Sequence, residues 1–221
     1  MTDSTGAAPV SAPPRAEPRQ QRSRDTVASI LAAADIEIAE RGSALATTTA
    51  IAERAGVSVG ALYRFFPDKH AIGDALAERY RAAAIERFAP ILVATETLDD
   101  VPAMIGSVVR VAAELQLDHR GYYRLTQEVR PDVPGSPGHA VRRAMVDAFD
   151  ERLVALGAHA PTERRRIALE LAIETVRHTL VVCPPDGVER EAILAELEVM
   201  VVTYAVNRLG LADPADENFG D

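Results

Sequence analysis

Residues 59–69 bring together side chains that can bind nucleic acid. Residues 59–61, a valine, a glycine and an alanine, are slim enough for the backbone that carries them to approach base edges closely. Tyr63 and Lys69 offer a phenol and an ammonium, which are good partners for phosphate oxygens. Arg64 lies one position after Tyr63 and can reach a phosphate or a base. The chemistry indicated is therefore hydrogen bonding to a nucleic-acid backbone, with close approach to its bases.

Two short helices must position these groups. Thr47 can cap a helix through Ala55, and Ser58 can cap a second helix to about Phe66, because each hydroxyl can accept from a free backbone N–H. Gly56 between them can adopt the positive φ that a tight turn requires. Two short helices joined by a glycine-containing turn form a helix-turn-helix, whose second helix can enter the major groove of DNA.

Longer helices are predicted on both sides of this pair. A helix is predicted from about residue 22, because apolar residues recur every three or four positions from Val27 to Ile38, and Gly42 follows where that helix should end. Another helix is predicted from Lys69 to Pro90. Further helices are predicted over 98–118, 120–130, 139–156, 162–182 and 188–209. Strand-like alternation and internal repeats are absent from the sequence, so the predicted fold class is all-α.

The pattern A-x-x-A-G-V-S-x-G-x-L-Y-x-x-F-x-x-K, from Ala52 to Lys69, resembles the DNA-binding domain of TetR-family transcriptional regulators. The likeness extends back over about residues 20–69. It implies an N-terminal three-helix helix-turn-helix domain followed by a larger helical domain that binds an effector and dimerises. The chain then divides into a disordered N-terminal arm, a DNA-binding domain and a C-terminal ligand-binding and dimerisation domain, at 1–20, 21–69 and 70–221.

Carried over by position, the resemblance implies that three threonines open the first helix of the motif and that the second helix begins with the base-facing residues. The residues predicted to contact DNA are Thr47, Thr48, Thr49, Ser58, Val59, Gly60, Ala61, Tyr63, Arg64 and Lys69. One departure matters, because the family often has a polar residue where Val59 and Ala61 stand. Base hydrogen bonds must then come from Thr49, Arg64 or the N-terminal arginines, or apolar contacts to thymine methyl groups contribute.

The last two predicted helices are apolar on more than one side, so both should be buried on several sides. Family dimers usually join through a four-helix bundle made from this pair, and the resemblance therefore implies a homodimer. The predicted dimer-interface residues are Ile173, Val176, Leu180, Leu197, Val201 and Tyr204.

The segment 119–130 and its neighbours combine polar tips with apolar walls, the composition by which small-molecule pockets select ligands. The candidate ligand-binding residues are Met104, Val108, His119, Tyr122, Tyr123, Gln127 and Phe149. The alternative is that these side chains complete the core, with their hydroxyls satisfied inside it.

Other chemistry-bearing residues indicate no catalytic or metal site. Glu170, Glu174 and His178 are four residues apart and share a helix face, but the Glu-x-x-His spacing of dimetal bundles is absent. A solvated face is the favoured interpretation. Cys183 is the only cysteine, which excludes a disulfide framework and a cysteine-based zinc site. Neither a cofactor nor an enzymatic activity is predicted.

The charge distribution is compatible with a nucleic-acid partner. The chain has 221 residues and a net charge of −9, but residues 1–69 carry eight acidic and eight basic side chains. The excess negative charge therefore lies in the C-terminal part. The arginines between residues 15 and 24 form a candidate electrostatic arm. No apolar run reaches the ~18 residues of a membrane span, and no signal peptide is visible, so a cytoplasmic protein without a membrane partner is predicted.

The predicted function is a transcriptional regulator, a repressor that a small-molecule effector releases from a palindromic double-stranded DNA operator. One alternative is a regulator of the same fold that activates transcription or responds to no ligand. The other alternative is an all-α enzyme or scaffold in which the helix-turn-helix is only structural.

Overall fold

The computed structural model describes residues 18–128, 136, 138–209 and 211. This part of the chain contains α-helices and one short 3-10 helix, and it contains no strand, which confirms the all-α class. The α-helices are α1 (Pro18–Arg41), α2 (Thr48–Arg54), α3 (Val59–Phe65), α4 (Lys69–Ala94), α5 (Val101–Asp118), α6 (Arg120–Glu128), α7 (His139–Ala155), α8 (Thr162–Val182) and α9 (Gly187–Arg208). The 3-10 helix spans Leu98–Asp100.

Helices α1, α2 and α3 and the start of α4 enclose the N-terminal core. Ile30, Ile51, Leu62 and Ile72, one from each helix, are completely buried. Because α2 and α3 are each only 7 residues long, this packing rather than intrinsic helix propensity must stabilise them.

The predicted caps of both short helices are confirmed. The Ala50 N–H donates to Thr47 Oγ1 at 3.1 Å. The Ala61 N–H donates to Ser58 Oγ at 3.1 Å. Gly56 in the turn has a φ of 68°, a conformation that side-chain-bearing residues rarely adopt. The two helices are therefore held in a helix-turn-helix arrangement.

Helices α4–α9 pack around two adjoining cores. Leu153 and Leu197 lie in the core formed mainly by α5, α7, α8 and α9. Tyr80 and Tyr123 lie in the other, which α4, α5 and α6 dominate. Val108 packs against both cores, at the place where a cavity separates them.

Helix α4 continues past Pro90 to Ala94, so the prediction that Pro90 ends it is wrong. A proline removes one backbone donor and crowds the preceding turn, which normally breaks a helix. Here Ile91 and Leu92 pack against the C-terminal core, and their burial keeps the last turn helical.

Helix α1 begins at Pro18, so residues 18–20 of the predicted arm are helical. The remainder of the predicted arm, residues 1–17, lies outside the described residues. Residues 129–135, 137, 210 and 212–221 also lie outside the described residues.

The start of α8 carries three consecutive arginines at 164–166, and the middle one is buried. Arg165 is 5% exposed, and its Nε donates to Asp150 Oδ1 at 2.7 Å. Its Nη1 also donates to the Ala160 carbonyl oxygen. The pair joins α7 to α8, and losing either partner would leave an uncompensated buried charge.

Candidate nucleic-acid interface and ligand cavity

The start of α2 and the middle of α3 are joined on one exposed surface. The Tyr63 hydroxyl lies 3.1 Å from Thr48 Oγ1, so a side chain of α3 is hydrogen-bonded to the first turn of α2. Tyr63 is 49% exposed, and Thr47 and Thr49 are also exposed. The predicted phosphate partners of the two helices therefore lie close enough to contact one stretch of DNA backbone.

Lys69 lies at the start of α4, beside the loop between α1 and α2. Its Nζ donates to the Ser43 carbonyl oxygen at 2.6 Å. The Asp68 carboxylate caps the same helix by accepting from the Ala71 N–H at 2.9 Å. An ammonium carries three donors, so the bond to Ser43 leaves two of them for a phosphate.

The predicted base-facing positions are accessible. Ser58, Val59 and Gly60 are exposed and Ala61 is half-buried. The Ser58 oxygen accepts from the Ala61 N–H, and the Ser58 hydroxyl can still donate its proton to a base. A Cβ built on Gly60 would meet nothing within 4 Å, so the surface there is open.

Arg64 is exposed and close to these positions. Its guanidinium carbon lies 5.5 Å from the centre of the Phe65 ring. The stacked guanidinium still carries several N–H donors, and an arginine can donate to guanine or to phosphate. The surface thus combines apolar contact through Val59 with donors at Arg64 and Lys69.

A cavity of about 110 Å³ lies between the two C-terminal cores. On this scale one water molecule requires ~10–15 Å³, so the space exceeds that of a single water. Its wall is almost wholly apolar. Five of the predicted ligand residues line it: Met104, Val108, Tyr122, Tyr123 and Phe149.

The other two predicted ligand residues, His119 and Gln127, are not among the lining residues. The His119 ring packs edge-on against Tyr80, with 5.6 Å between ring centres. Burial lowers the pKa of His119, Arg79 lowers it further, and Asp35 opposes the change. His119 therefore belongs to the junction between α4, α6 and α1 rather than to the cavity wall.

Several polar side chains of the cavity wall were missed from the sequence: Tyr80, Thr126, Arg142, Glu174 and Arg177. Arg177 Nε donates to Glu174 at 3.0 Å, and its Nη1 donates to Thr126 Oγ1 at 3.3 Å. The Tyr80 and Tyr123 hydroxyls lie 3.0 Å apart. The only sequence signal for this polar cluster is the three-residue spacing of Glu174 and Arg177 on a helix with broad apolar faces.

Burial also raises the pKa values of the cavity tyrosines. The pKa of Tyr80 rises to about 12, and the hydrogen bond with Tyr123 and the charge of Arg177 only partly oppose that rise. Burial raises the pKa of Tyr123 as well, so both hydroxyls are protonated at neutral pH, and the Tyr123 hydroxyl donates to the Ala112 carbonyl oxygen.

Helix α6 lies between the cavity and α1. Tyr122 lines the cavity, and its backbone N–H donates to Asp35 Oδ1 of α1 at 3.0 Å. A Cβ on Gly121 would lie only 2.1 Å from the Asp35 carbonyl oxygen, so the two backbones are in direct contact. Burial raises the pKa of Asp35, and the N–H groups of Tyr122 and Gly121 oppose the rise.

The rest of α6 is bonded to the end of α1. Arg124 Nη1 donates to the Ala39 carbonyl oxygen at 2.8 Å. The Glu128 carboxylate accepts from the Ser43 N–H at 2.8 Å. Since the Ser43 carbonyl accepts from Lys69, the α1–α2 loop links α6 to a predicted phosphate contact.

Three of the predicted dimer-interface residues are buried inside the protomer. Leu180, Leu197 and Val201 are 0%, 2% and 6% exposed, so they form the protomer's own core and offer no surface to a partner. Ile173 and Val176 are half-buried and, like Val201, line the cavity. An apolar helix face can be buried by its own protomer, and the sequence pattern cannot distinguish this from burial by a second copy.

Exposed apolar side chains of α8 and α9 lie elsewhere. Ile167 is 52% exposed and, together with half-buried Tyr204, lines one shallow depression. Met200 is 49% exposed and lines a second depression with Tyr204. Leu171, one helical turn after Ile167, is 53% exposed. We call Ile167, Leu171, Met200 and Tyr204 the α8–α9 face.

The described residues contain no group of three or more histidine, cysteine, aspartate or glutamate side chains that could hold a metal ion. Glu174 and His178, considered as ligands from their spacing, instead pair with each other, with 3.5 Å between Nδ1 and Oε2. No helix in the described part of the chain is long and apolar enough to span a bilayer.

Two family models match the chain. The model of bacterial regulatory proteins of the tetR family matches residues 30–76, which contain the helix-turn-helix. The model of the tetracyclin repressor-like C-terminal domain matches residues 100–204, which contain most of the cavity wall. No curated protein matches the chain.

Solved structures share the fold. A TetR-family transcriptional regulator from Streptomyces coelicolor is 25% identical, with a TM-score of 0.63 over 83% of this chain and 99% of its own. FadR from Bacillus subtilis, solved with stearoyl-CoA, is 19% identical, with a TM-score of 0.62 over 80% and 95%. SmeT, the repressor of the Stenotrophomonas maltophilia multidrug efflux pump SmeDEF, is 22% identical, with a TM-score of 0.60 over 86% and 96%. With both family models matching in order along the chain, the protein belongs to the TetR family of bacterial transcriptional regulators.

Proposed function

We propose that this regulator is a repressor that binds a near-palindromic DNA operator as a homodimer and leaves it when a small molecule enters the cavity. Residues 21–69 act as the DNA-binding domain and residues 70–221 as the ligand-binding and dimerisation domain. The observation that carries the proposal is the position of α6, which lines the cavity and is bonded to α1.

Two structural neighbours support the repressor and ligand parts of this proposal. SmeT is a repressor, and FadR from Bacillus subtilis was solved with stearoyl-CoA. Regulation of transcription requires access to the chromosome, so the proposed location is the cytoplasm. The alternative of a structural helix-turn-helix in an enzyme or scaffold is less economical, because the exposed residues of α2 and α3 then serve no purpose.

The proposed coupling runs through α6. A ligand that widens the cavity displaces Tyr122 and Tyr123, and α6 moves α1 through the contact of Gly121 with Asp35. A ligand shifts the equilibrium only by its differential affinity for the two arrangements, typically about 1–3 kcal/mol or 5–150-fold. By linkage, operator DNA must weaken ligand binding by the same factor.

The proposed dimer interface is the α8–α9 face, which keeps Tyr204 from the residues expected from the sequence and adds Ile167, Leu171 and Met200. Exposed apolar patches rimmed by polar residues mark protein–protein contacts. A two-fold axis through this face uses the same patch on both copies, as a closed dimer requires. Two such protomers present two copies of α3 to the two halves of one operator.

Tyr63→Phe and Lys69→Ala are expected to weaken binding to specific and unrelated duplexes by similar factors, because each removes a phosphate contact. Lys69→Ala should also reduce the slope of log affinity against log salt by about one. Fluorescence anisotropy over a salt series measures both quantities. Val59 and Ala61 substitutions should instead change which sequence is preferred.

Arg143→Ala is the matched control, since it removes one exposed positive charge from α7, outside the DNA-binding domain. Lys69 also bonds Ser43, so the melting temperature of each variant is measured without DNA. A Lys69→Ala protein with normal stability, normal affinity and an altered base preference would refute the assigned phosphate role.

A further inference from the structure

Two buried polar atoms of the cavity wall have no hydrogen-bond partner among the described residues. They are Glu174 Oε1 on α8 and Arg142 Nε on α7. Both residues line the cavity, and most of its other lining residues are apolar. Buried polar atoms are normally paired, because an unsatisfied group carries its full desolvation cost. The side chains that carry this unsatisfied acceptor and this unsatisfied donor therefore both line the space that a ligand would fill.

The charges around these atoms are balanced. Arg177 donates to the other Glu174 oxygen, Oε2, at 3.0 Å. Arg142 Nη1 lies 3.7 Å from Glu170 Oε2, one helical turn before Glu174. Two guanidinium groups thus face two carboxylates. Tyr122 is affected by the same charges. Burial raises the pKa of Tyr122, the charge of Glu174 raises it further, and the charge of Arg177 opposes the rise.

The equal numbers of positive and negative side chains at this wall determine which ligand head group can bind there. A carboxylate would accept from Arg142 but would face the unpaired carboxylate oxygen of Glu174 without a proton to offer. An ammonium would donate to Glu174 but would leave Arg142 Nε unpaired and lie beside two guanidinium groups. A hydroxyl carries both a donor and acceptor lone pairs, so it can serve both atoms without adding charge.

We propose that the cavity binds a predominantly apolar molecule with one neutral hydroxyl end, an alcohol or a phenol, whose hydroxyl donates to Glu174 and accepts from Arg142. The apolar body lies against Met104, Val108 and Phe149, which line the same cavity. The inference rests on the proposed function only in placing the effector in this cavity, and it specifies the effector's chemistry.

A matched series of small probes tests the head group. Calorimetric titration of the full chain without DNA compares 1-octanol, octanoate and octylammonium, which share one apolar chain. The octanol is expected to bind at least about tenfold more tightly than either ion, because each ion leaves one buried polar group unpaired. Val108→Trp, which fills the cavity, should abolish this binding while circular dichroism stays unchanged.

Glu174→Gln separates charge from shape. The amide keeps an oxygen that can accept from Arg177 and removes the negative charge, so octanoate should gain about tenfold in affinity. Octanol should instead bind more weakly than to the native protein, because the single amide oxygen stays with Arg177 and the NH2 group at the position of Oε1 cannot accept the hydroxyl proton. Glu86→Gln, the same change at an exposed position of α4, is the control and should alter neither affinity.

Each outcome decides the inference. Preference for octanol in the native protein, with a gain for octanoate only in Glu174→Gln, supports it. Octanoate binding the native protein as tightly as octanol would overturn the head-group assignment, and absence of binding by all three probes would overturn the ligand class. DNA is absent from these titrations, so either failure leaves operator binding, and with it the regulator itself, to its own test.

Discussion

Replacing Leu171 with arginine is expected to split the dimer and to lower operator affinity by about 10²–10⁴-fold, the usual gain from linking two binding modules. Leu171 is exposed on α8, one turn after Ile167, so an arginine there does not disturb the protomer's core. In the dimer the same side chain would be buried in an apolar contact without a counter-charge. Each protomer would then engage only one half-site.

Sedimentation velocity and anisotropy on the operator measure these two effects. Val154→Arg is the control, because Val154 is equally exposed on α7 and lies outside the α8–α9 face. It should leave both the dimer and the affinity unchanged. A Leu171→Arg protein that remains dimeric at micromolar concentration would place the interface on another surface.

Replacing Gly121 with alanine is expected to lower operator affinity by about 10- to 100-fold, because the added methyl group forces α6 away from α1. Its Cβ would lie 2.1 Å from the backbone oxygen of Asp35, which cannot rotate away. Overpacking of this kind costs about 1–3 kcal/mol, and each 1.4 kcal/mol is a factor of about ten. Displacement of α6 breaks the hydrogen bond from the Tyr122 N–H to Asp35 Oδ1, so the DNA-binding domain loses its orientation relative to α6.

Gly106→Ala is the matched control. A Cβ at Gly106 would lie 2.3 Å from Glu198 Oε1, the flexible end of a side chain that can move aside. It should therefore leave operator affinity within about twofold, since no backbone must shift. Anisotropy on the operator and thermal unfolding of the free protein distinguish lost orientation from lost folding. Normal operator affinity in Gly121→Ala would show that α6 and α1 are not coupled.

The N-terminal domain was predictable because local chemistry determines it. Thr47 and Ser58 are caps that act within three residues, and Gly56 is required by a positive φ at one turn. The spacing of apolar residues on α1 follows from packing against a single core. Such interactions span few residues, so the sequence pattern carries them directly.

The C-terminal site was only partly predictable because its parts come from distant helices. Tyr122 and Tyr123 were predicted from the mixed polar and apolar composition of the segment 119–130. Arg142 and Glu174 line the same cavity but lie on α7 and α8. Leu197 shows the same limit, since its apolar helix face serves the protomer's own core. Which face of an apolar helix turns inward depends on all of its neighbours.

Selection of duplexes from a randomised DNA pool by the full chain tests the central claim most directly. The proposed function predicts enrichment of a near-palindromic sequence, with half-sites about 34–36 Å apart or a multiple of that spacing. It also predicts that one dimer binds each duplex, and that Tyr63→Phe with Lys69→Ala lowers the amount of DNA retained without changing which sequence is preferred. Failure to enrich any sequence above the starting pool, or retention of as much DNA by the doubly substituted protein as by the native one, would contradict it.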